Sequence, residues 1–278
     1  EILDDTLVYV IVGDNGASAE GDIYGCFNEL ITLNGANALQ TTEFMVSRIA
    51  DFGTPLAYNH FAVGWAHAMD TPYQWTKRVA SHWGGTRNGL IVHWPGGIKS
   101  RGELRRQFHH VIDVAPTFLE VAGLPHPSIV NGHEQQPIEG VSMVYTFDSA
   151  DAPDRHETQY FEILGNRGIY HLGWTASTAH NPPVAVHQKR SLDDDIWELY
   201  DTNTDWTQAH DLAQKYPEKL RELQRLFLSE AARHNVLPLD DRTAERADPD
   251  RAGRPVLPGS RRQRLYPGIG RLNAFCVI

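Results

Sequence analysis

The sequence of 278 residues predicts an α/β fold: a layered sheet, followed by a small antiparallel sheet that one helix covers. Residues 6–12 form a continuous β-branched and aromatic run that ends in a polar turn. A second apolar run, residues 90–92, precedes a helical pattern over residues 110–122. Strand, loop and helix in this order are typical of layered α/β sheets. Because the first run is apolar throughout, we expect a strand buried on both faces, as in a parallel sheet.

Between the two predicted strands, residues 44–50 have a helix-like apolar pattern. Residues 58–83 are rich in aromatic side chains and histidine, which is typical of a wall or lid beside a site. The helix at 110–122 has Pro116 near its start and Gly123 at its end, where these residues are favoured.

Beyond Thr146 the runs become short, and residues 158–164, 168–175 and 197–200 predict antiparallel strands joined by turns. An amphipathic helix is predicted over residues 217–233, with an apolar stripe that would cover the small sheet. The stripe consists of Leu220, Leu223, Phe227 and Ala231. We therefore divide the chain into an α/β portion at 1–147, an α+β subdomain at 148–238 and a polar tail at 239–278.

Composition excludes several classes of protein. Hydrophobic residues make up 41% of the chain, enough for a folded core, and no apolar run reaches the roughly 18 residues that span a bilayer. A net charge of −10 argues against nucleic acid as a partner. Cys26 and Cys276 are too few for a disulfide framework or a zinc cluster. Residues 1–5 show no export leader, which leaves the compartment open with the cytoplasm favoured.

Asp14 and Asn15 follow the first predicted strand, at the end where ligand sites of open α/β sheets gather. A carboxylate beside an amide oxygen suits a hard cation such as Ca²⁺ or Mg²⁺. The same two residues are also common in turns, where they only cap the chain.

Four ordered segments give the sequence a family resemblance. They are DNGASAEG at residues 14–21, Lys77 followed by GGTRNGLIVHWPG at 84–96, DVAPTFLEVAG at 113–123, and GVS at 140–142. Together they resemble the C-terminal half of a sulfatase of the arylsulfatase type, within the alkaline-phosphatase-like superfamily. Residues 58–83 look most like the large microbial arylsulfatases.

The resemblance implies an alkaline-phosphatase-like layered sheet and a sulfate ester as the small-molecule substrate. It implies that Asp14 and Asn15 help to bind a divalent cation, usually Ca²⁺, and that Lys77 contacts the substrate sulfate. A cation and an ammonium group would neutralise the charge that moves onto the sulfate oxygens as the S–O bond breaks.

The sequence also departs from the family. Sulfatases convert the Cys or Ser of a Cys/Ser-x-Pro-Ser-Arg motif to formylglycine, and this motif is absent, so we assign no catalytic nucleophile. Cys26 lacks the flanking Pro and Arg and cannot take that role. We expect a fragment that is inactive alone and needs the N-terminal half of the catalytic domain. The alternatives are a phosphatase or phosphonate monoester hydrolase of the same superfamily, or a non-catalytic truncated product.

The sequence leaves the roles of several side chains near Lys77 open. His67 and His82 either touch a substrate or pack as structural residues, and Arg87 is either a structural clamp or a ligand. Three aromatic residues form either a platform for an aryl leaving group or lid packing. These residues are Trp65, Tyr73 and Trp75.

Overall fold

The computed structural model describes residues 2–13, 15–180, 182 and 190–242. Asp14 and Cys276, and the predicted tail from residue 243 onward, lie outside the described residues. The predicted fold class is confirmed: mixed sheets and helices in the first part precede a four-stranded antiparallel sheet and a C-terminal helix.

The first sheet corrects one expectation. Strand β1 (Val8–Val12) pairs antiparallel with β2 (Gly89–His93), with Val10 opposite Ile91, and the parallel pairing that we expected is wrong. One face of this pair packs on the core. The other face is open, with Val10, Val12 and Ile91 exposed by 46%, 60% and 58%. Within the described residues these strands pair only with each other. The burial that the apolar pattern predicts is met only in part: Tyr9 and Val92 pack against a buried cluster, but Ile11 and Leu90 on the same face are 44% and 39% exposed.

Among the described residues between β1 and β2, the chain forms four short helices. They are α1 (Glu29–Leu33), α2 (Thr42–Ser47), α3 (Val63–Asp70) and α4 (Trp83–Thr86). Asn28 and Thr41 cap α1 and α2 by accepting a hydrogen bond from the backbone two and three residues on. The helix predicted over 44–50 is α2 followed by a 3₁₀ turn, and another 3₁₀ turn precedes α2. These turns are Ile49–Asp51 and Asn37–Leu39.

Helix α5 (Val114–Val121), entered through a 3₁₀ turn at Val111–Asp113, confirms the helix predicted over 110–122. It packs against the face of the first sheet that carries Tyr9, and the rings of Phe118 and Tyr9 meet edge to face at 5.2 Å. A small hairpin and a further 3₁₀ turn follow. They are β3 (Ile129–Val130), β4 (His133–Glu134) and Met143–Thr146.

The second sheet has the strand order β5-β6-β7-β8, antiparallel throughout, which confirms the predicted architecture. Its strands are β5 (Thr158–Ile163), β6 (Asn166–His171), β7 (Trp174–Thr178) and β8 (Glu198–Asp201), with a 3₁₀ turn at Leu192–Asp194. The single strand expected over 168–175 is wrong. Leu172 and Gly173, both with positive φ, turn the chain there and separate β6 from β7.

Helix α6 (Pro217–Arg233) has the predicted bounds, with Pro217 at its first position. Leu223, Phe227 and Ala231 are buried against the second sheet, as the apolar stripe predicts, and Leu220 packs partly against them. No helix among the described residues is both long and apolar enough to cross a membrane. The division into portions 1–147 and 148–238 stays a prediction.

Candidate functional site

The loop after β1 is held tightly against the turn that carries Lys77. Asn15 is exposed, and Gly16 has a φ of +79°. A Cβ atom on Gly16 would lie 1.9 Å from the carbonyl oxygen of Gly84 and 3.1 Å from the backbone nitrogen of Lys77. The glycine therefore allows an approach that no other residue permits, and the structure brings the Asn15 loop beside Lys77.

Further bonds fix this contact. The backbone N–H of Lys77 donates to the carbonyl oxygen of Ala17 at 3.1 Å, and the N–H of Ala17 donates to the Asp70 carboxylate at 2.9 Å. Trp75 and Arg78, on either side of Lys77, have φ of 66° and 77°, in the left-handed region that bulky residues avoid. Strain of this kind persists only where the surroundings impose it, and it is common at functional sites.

A glycine pair packs the other side of the Lys77 turn. Cβ atoms on Gly84 and Gly85 would lie 2.2 Å from the oxygen of Trp75 and 2.3 Å from that of Val79. Both glycines are buried in α4. The Gly-Gly pair thus lets α4 sit directly on the backbone around Lys77.

The Lys77 side chain ends in a polar network. Its Nζ lies 2.8 Å from Oε2 of Glu20, and the Ser18 hydroxyl is 3.0 Å from the same oxygen. Ser18 is also 3.0 Å from Nδ1 of His60, whose Nε2 is 2.7 Å from Glu29. Burial alone would raise the pKa of Glu20, but the hydrogen bond and charge of Lys77 lower it. The Glu20 carboxylate is therefore ionised and holds the ammonium group.

Sequence reasoning missed the roles of Ser18, Glu20 and His60 in this network. Ser18 and Glu20 stand within the first family segment, so their place beside the Asp-Asn pair was the available signal. Nothing in the linear spacing joins His60 to Ser18, because the contact depends on the backbone bridge between Cys26 and His60.

The sequence leaves the roles of His67 and His82 open, and the structure gives these two side chains different surroundings. His82 is fully buried, with Nδ1 2.8 Å from the Ser81 hydroxyl and Nε2 2.7 Å from Glu198 of β8. Both ring nitrogens are occupied, so His82 links α4 to the second sheet and is structural. His67 is exposed on α3.

Arg87 is a clamp between the two parts of the chain. It donates to the carbonyl oxygen of Trp206 at 3.2 Å, and its guanidinium lies 5.4 Å and 5.8 Å from the ring centres of Tyr73 and Trp206. Tyr73 thus packs against Trp206, Trp75 lies beside His82, and Trp65 is 68% exposed on α3. Of the two roles that the sequence leaves open for these aromatic residues, Tyr73 and Trp75 have the packing role.

Cys26 is buried, with 2% of its surface exposed, and burial raises the pKa of its thiol. A buried thiol with a raised pKa is a poor nucleophile, since the thiolate is the reactive form. The geometry agrees with the absence of the nucleophile motif.

The described residues do not make a cation site by themselves. Among them, no group of three or more His, Cys, Asp or Glu side chains is placed to hold a metal ion. Asn15 offers one amide oxygen, whereas Ca²⁺ takes about six to eight oxygen ligands. Asp14, the other predicted ligand, is outside the described residues.

Comparison with known proteins identifies the family. Residues 1–124 match the sulfatase family profile, and residues 73–231, more than half of the chain, match the profile described as N-sulphoglucosamine sulphohydrolase, C-terminal. The chain belongs to the sulfatase family, which confirms the resemblance drawn from its ordered motifs.

The relatives are distant and longer. An uncharacterized sulfatase of Schizosaccharomyces pombe is 27% identical over 246 residues, which are 86% of this chain and 40% of the relative. An arylsulfatase of Klebsiella aerogenes is 27% identical over 144 residues, 49% of this chain and 30% of its own length. The crystal structure of a Pseudoalteromonas sulfatase, PsFucS1, covers 85% of this chain and 38% of that protein, at 14% identity and a TM-score of 0.46. The chain thus spans less than half of these proteins.

Proposed function

We propose that this chain is part of a sulfuric ester hydrolase of the arylsulfatase type, which cleaves aryl or related sulfate monoesters. The observation that supports this most directly is the contact between the Asn15 loop and the Lys77 turn. Gly16 and the bond from Lys77 to Ala17 hold together the two segments that the family uses for cation and sulfate.

In this proposal Lys77 binds the sulfate oxygens. Glu20 orients the ammonium group at 2.8 Å, and both side chains stay about one-third exposed, so an incoming anion can reach Nζ. A fixed ammonium group beside the sulfate stabilises the charge that builds up as the ester bond breaks.

Asp14 and Asn15 supply part of a cation site in the proposal, with Ca²⁺ preferred and Mg²⁺ possible in its place. The described residues are too few to complete this site, and the nucleophile motif is absent from the sequence. We propose that the remaining acidic ligands and the formylglycine come from the N-terminal half of a sulfatase catalytic domain. When bound, the cation would add positive charge beside the ester.

The test compares 4-nitrophenyl sulfate hydrolysis by this chain and by a longer protein in which the N-terminal half of a sulfatase catalytic domain precedes it, both with Ca²⁺. We expect turnover in the longer protein only. In that protein, Lys77→Ala should lower kcat/KM by about 10²- to 10³-fold, the loss typical of one transition-state charge contact. Lys99→Ala, which removes an exposed lysine, is the matched control.

Three results would contradict the proposal. Faster hydrolysis of 4-nitrophenyl phosphate than of the sulfate would favour a phosphatase, and full activity of Lys77→Ala would remove Lys77 from the site. Turnover by the 278-residue chain alone would show that its own residues include a nucleophile.

A further inference from the structure

The segment that carries Lys77 is a closed loop. It starts at Gln74 and returns at Trp83 and Gly84, where the Gly84 N–H donates to the carbonyl oxygen of Gln74 at 3.0 Å. The position of Lys77 therefore depends on what fixes the two ends of this loop.

Gln208, from the turn after β8, contacts both ends. Its side-chain oxygen accepts the N–H of Trp83 at 2.8 Å, and its carbonyl oxygen accepts the side-chain amide of Gln74. Its own amide nitrogen donates to the Thr175 hydroxyl of β7 at 3.0 Å. Gln208 is completely buried, and a buried amide is costly unless it is hydrogen-bonded in this way.

The backbone conformation of Gln208 is fixed by hydrogen bonds within its own turn. Its φ is +59°, and its N–H donates to the carbonyl oxygen of Asp205 at 3.1 Å. The Asp205 carboxylate accepts the next two backbone N–H groups, of Ala209 and His210, at 3.1 Å and 2.8 Å. Gln208 is thus a rigid link between the second sheet and the Lys77 loop.

We infer that Gln208 is a positioning residue for Lys77, through which the four-stranded sheet sets the place of the sulfate-binding ammonium group. This inference rests on the proposed function, since it assigns Lys77 its role there. Gln208 does not touch the substrate. It acts through Gln74 and Trp83, and a displacement of about 1 Å at a reacting group can cost roughly 10²-fold in rate.

The first test needs no activity. Brief acetylation of the 278-residue chain, read by peptide mass spectrometry, gives the relative reactivity of each lysine. Gln208→Ala should raise the reactivity of Lys77 severalfold, because the loop loosens its hold, and leave Lys99 and Lys219 unchanged. Thr175→Val, which breaks only the bond to β7, should have a smaller effect in the same direction and covers the case in which Gln208→Ala fails to fold.

Asn166→Ala is the matched control for a general loss of stability. Asn166 is also buried in the second sheet and bonds to Ile163 and His180, away from the Lys77 loop. Unchanged Lys77 reactivity in both the Gln208 and Thr175 variants, or an equal rise in Asn166→Ala, would overturn the inference.

The second test uses the longer, active protein. Gln208→Ala should lose about 10²-fold in kcat/KM for 4-nitrophenyl sulfate, and Asn166→Ala should lose far less at a similar Tm. Failure of the proposed function would appear separately, as full activity in Lys77→Ala. If Lys77→Ala is inactive and Gln208→Ala is fully active, only the positioning role is wrong.

Discussion

At the scale of single residues, the site depends on glycines that permit backbone approach. Gly16 and Gly35 are both left-handed, at φ of +79° and +75°, but a Cβ on Gly35 would meet nothing within 4 Å. Alanine substitutions at the two positions therefore separate two costs at Gly16: that of a left-handed backbone and that of the close approach to Gly84.

We therefore predict that Gly16→Ala destabilises the chain more than Gly35→Ala does. Gly35→Ala should cost about 1–2 kcal/mol in the free energy of unfolding, the price of a left-handed alanine. Gly16→Ala adds a 1.9 Å clash with the Gly84 oxygen and should cost more. Urea denaturation of both variants measures the difference, and equal losses would mean that the loop and Lys77 turn are not in contact in solution.

The motif residues show what a sequence can reveal at this scale. The segments that resemble the family identify Asn15 and Lys77, and the structure brings the loops of these two residues together. The contact between Ser18 and His60, and the contacts of Gln208, join residues as far apart as 74 and 208, and no local pattern encodes such contacts. The role of His82 also needed the fold, because its partner Glu198 lies on another sheet.

At the scale of elements, a buried pair of ionisable side chains joins the start of α5 to the second sheet. Asp113, fully buried before α5, is 2.8 Å from Nδ1 of His156, which precedes β5, and accepts the backbone N–H of Val141 at 2.8 Å. Burial alone would raise the pKa of Asp113, but bonds from His109, His156 and two backbone N–H groups lower it well below its usual value. Burial opposes protonation of His156, yet Asp113 raises its pKa.

These shifts predict how stability depends on pH. Because the pKa of Asp113 is lower in the folded chain, its ionisation stabilises the fold at pH values above the pKa of the unfolded chain, about 3.9. This stabilisation is lost as the pH falls through the pKa of the folded chain. Because the pKa of His156 is higher in the folded chain, its protonation stabilises the fold at pH values below the pKa of the unfolded chain, about 6.5. This stabilisation is lost as the pH rises through the pKa of the folded chain. The pair is therefore most stabilising between pH 4 and pH 6.5, roughly.

Asp113→Asn should lower the free energy of unfolding by roughly 3–5 kcal/mol in that window, because it leaves His156 buried without its partner. The difference from the unmodified chain should shrink at lower and higher pH. Urea titrations at several pH values test this, with Glu134→Gln, which changes an exposed carboxylate on β4, as the control. Parallel stability curves for Asp113→Asn and the unmodified chain would refute the linkage.

The elements also show why some predictions failed. Helix α6 has the predicted bounds, because its apolar stripe repeats over about three turns and Pro217 marks its start. The sequence predicts one strand across the β6–β7 turn because the first residue of this turn is Leu172, and leucine is unusual at positive φ. The antiparallel direction of β1 and β2 does not follow from the sequence, because an apolar run predicts burial and not strand direction.

At the scale of the whole molecule, one face of the first sheet leaves neighbouring apolar side chains exposed. Val10, Val12 and Ile91 present β-branched side chains to solvent, while Tyr9 and Val92 on the opposite face share a cluster with side chains of α5. The relatives are more than twice as long as the region they share with this chain. We propose that the N-terminal half of the catalytic domain packs on this face, where it would also place its ligands near the Asn15 loop.

Separate expression tests this arrangement. The N-terminal half of a sulfatase catalytic domain, produced together with this chain, should restore 4-nitrophenyl sulfate hydrolysis. Val10→Lys should abolish that restoration and leave the free energy of unfolding of the chain within about 0.5 kcal/mol, because the side chain is exposed. Leu104→Lys, which charges another exposed apolar residue, should restore activity normally. If Val10→Lys restores activity as well as Leu104→Lys does, the two halves meet elsewhere, and the apolar face of β1 and β2 is not their interface.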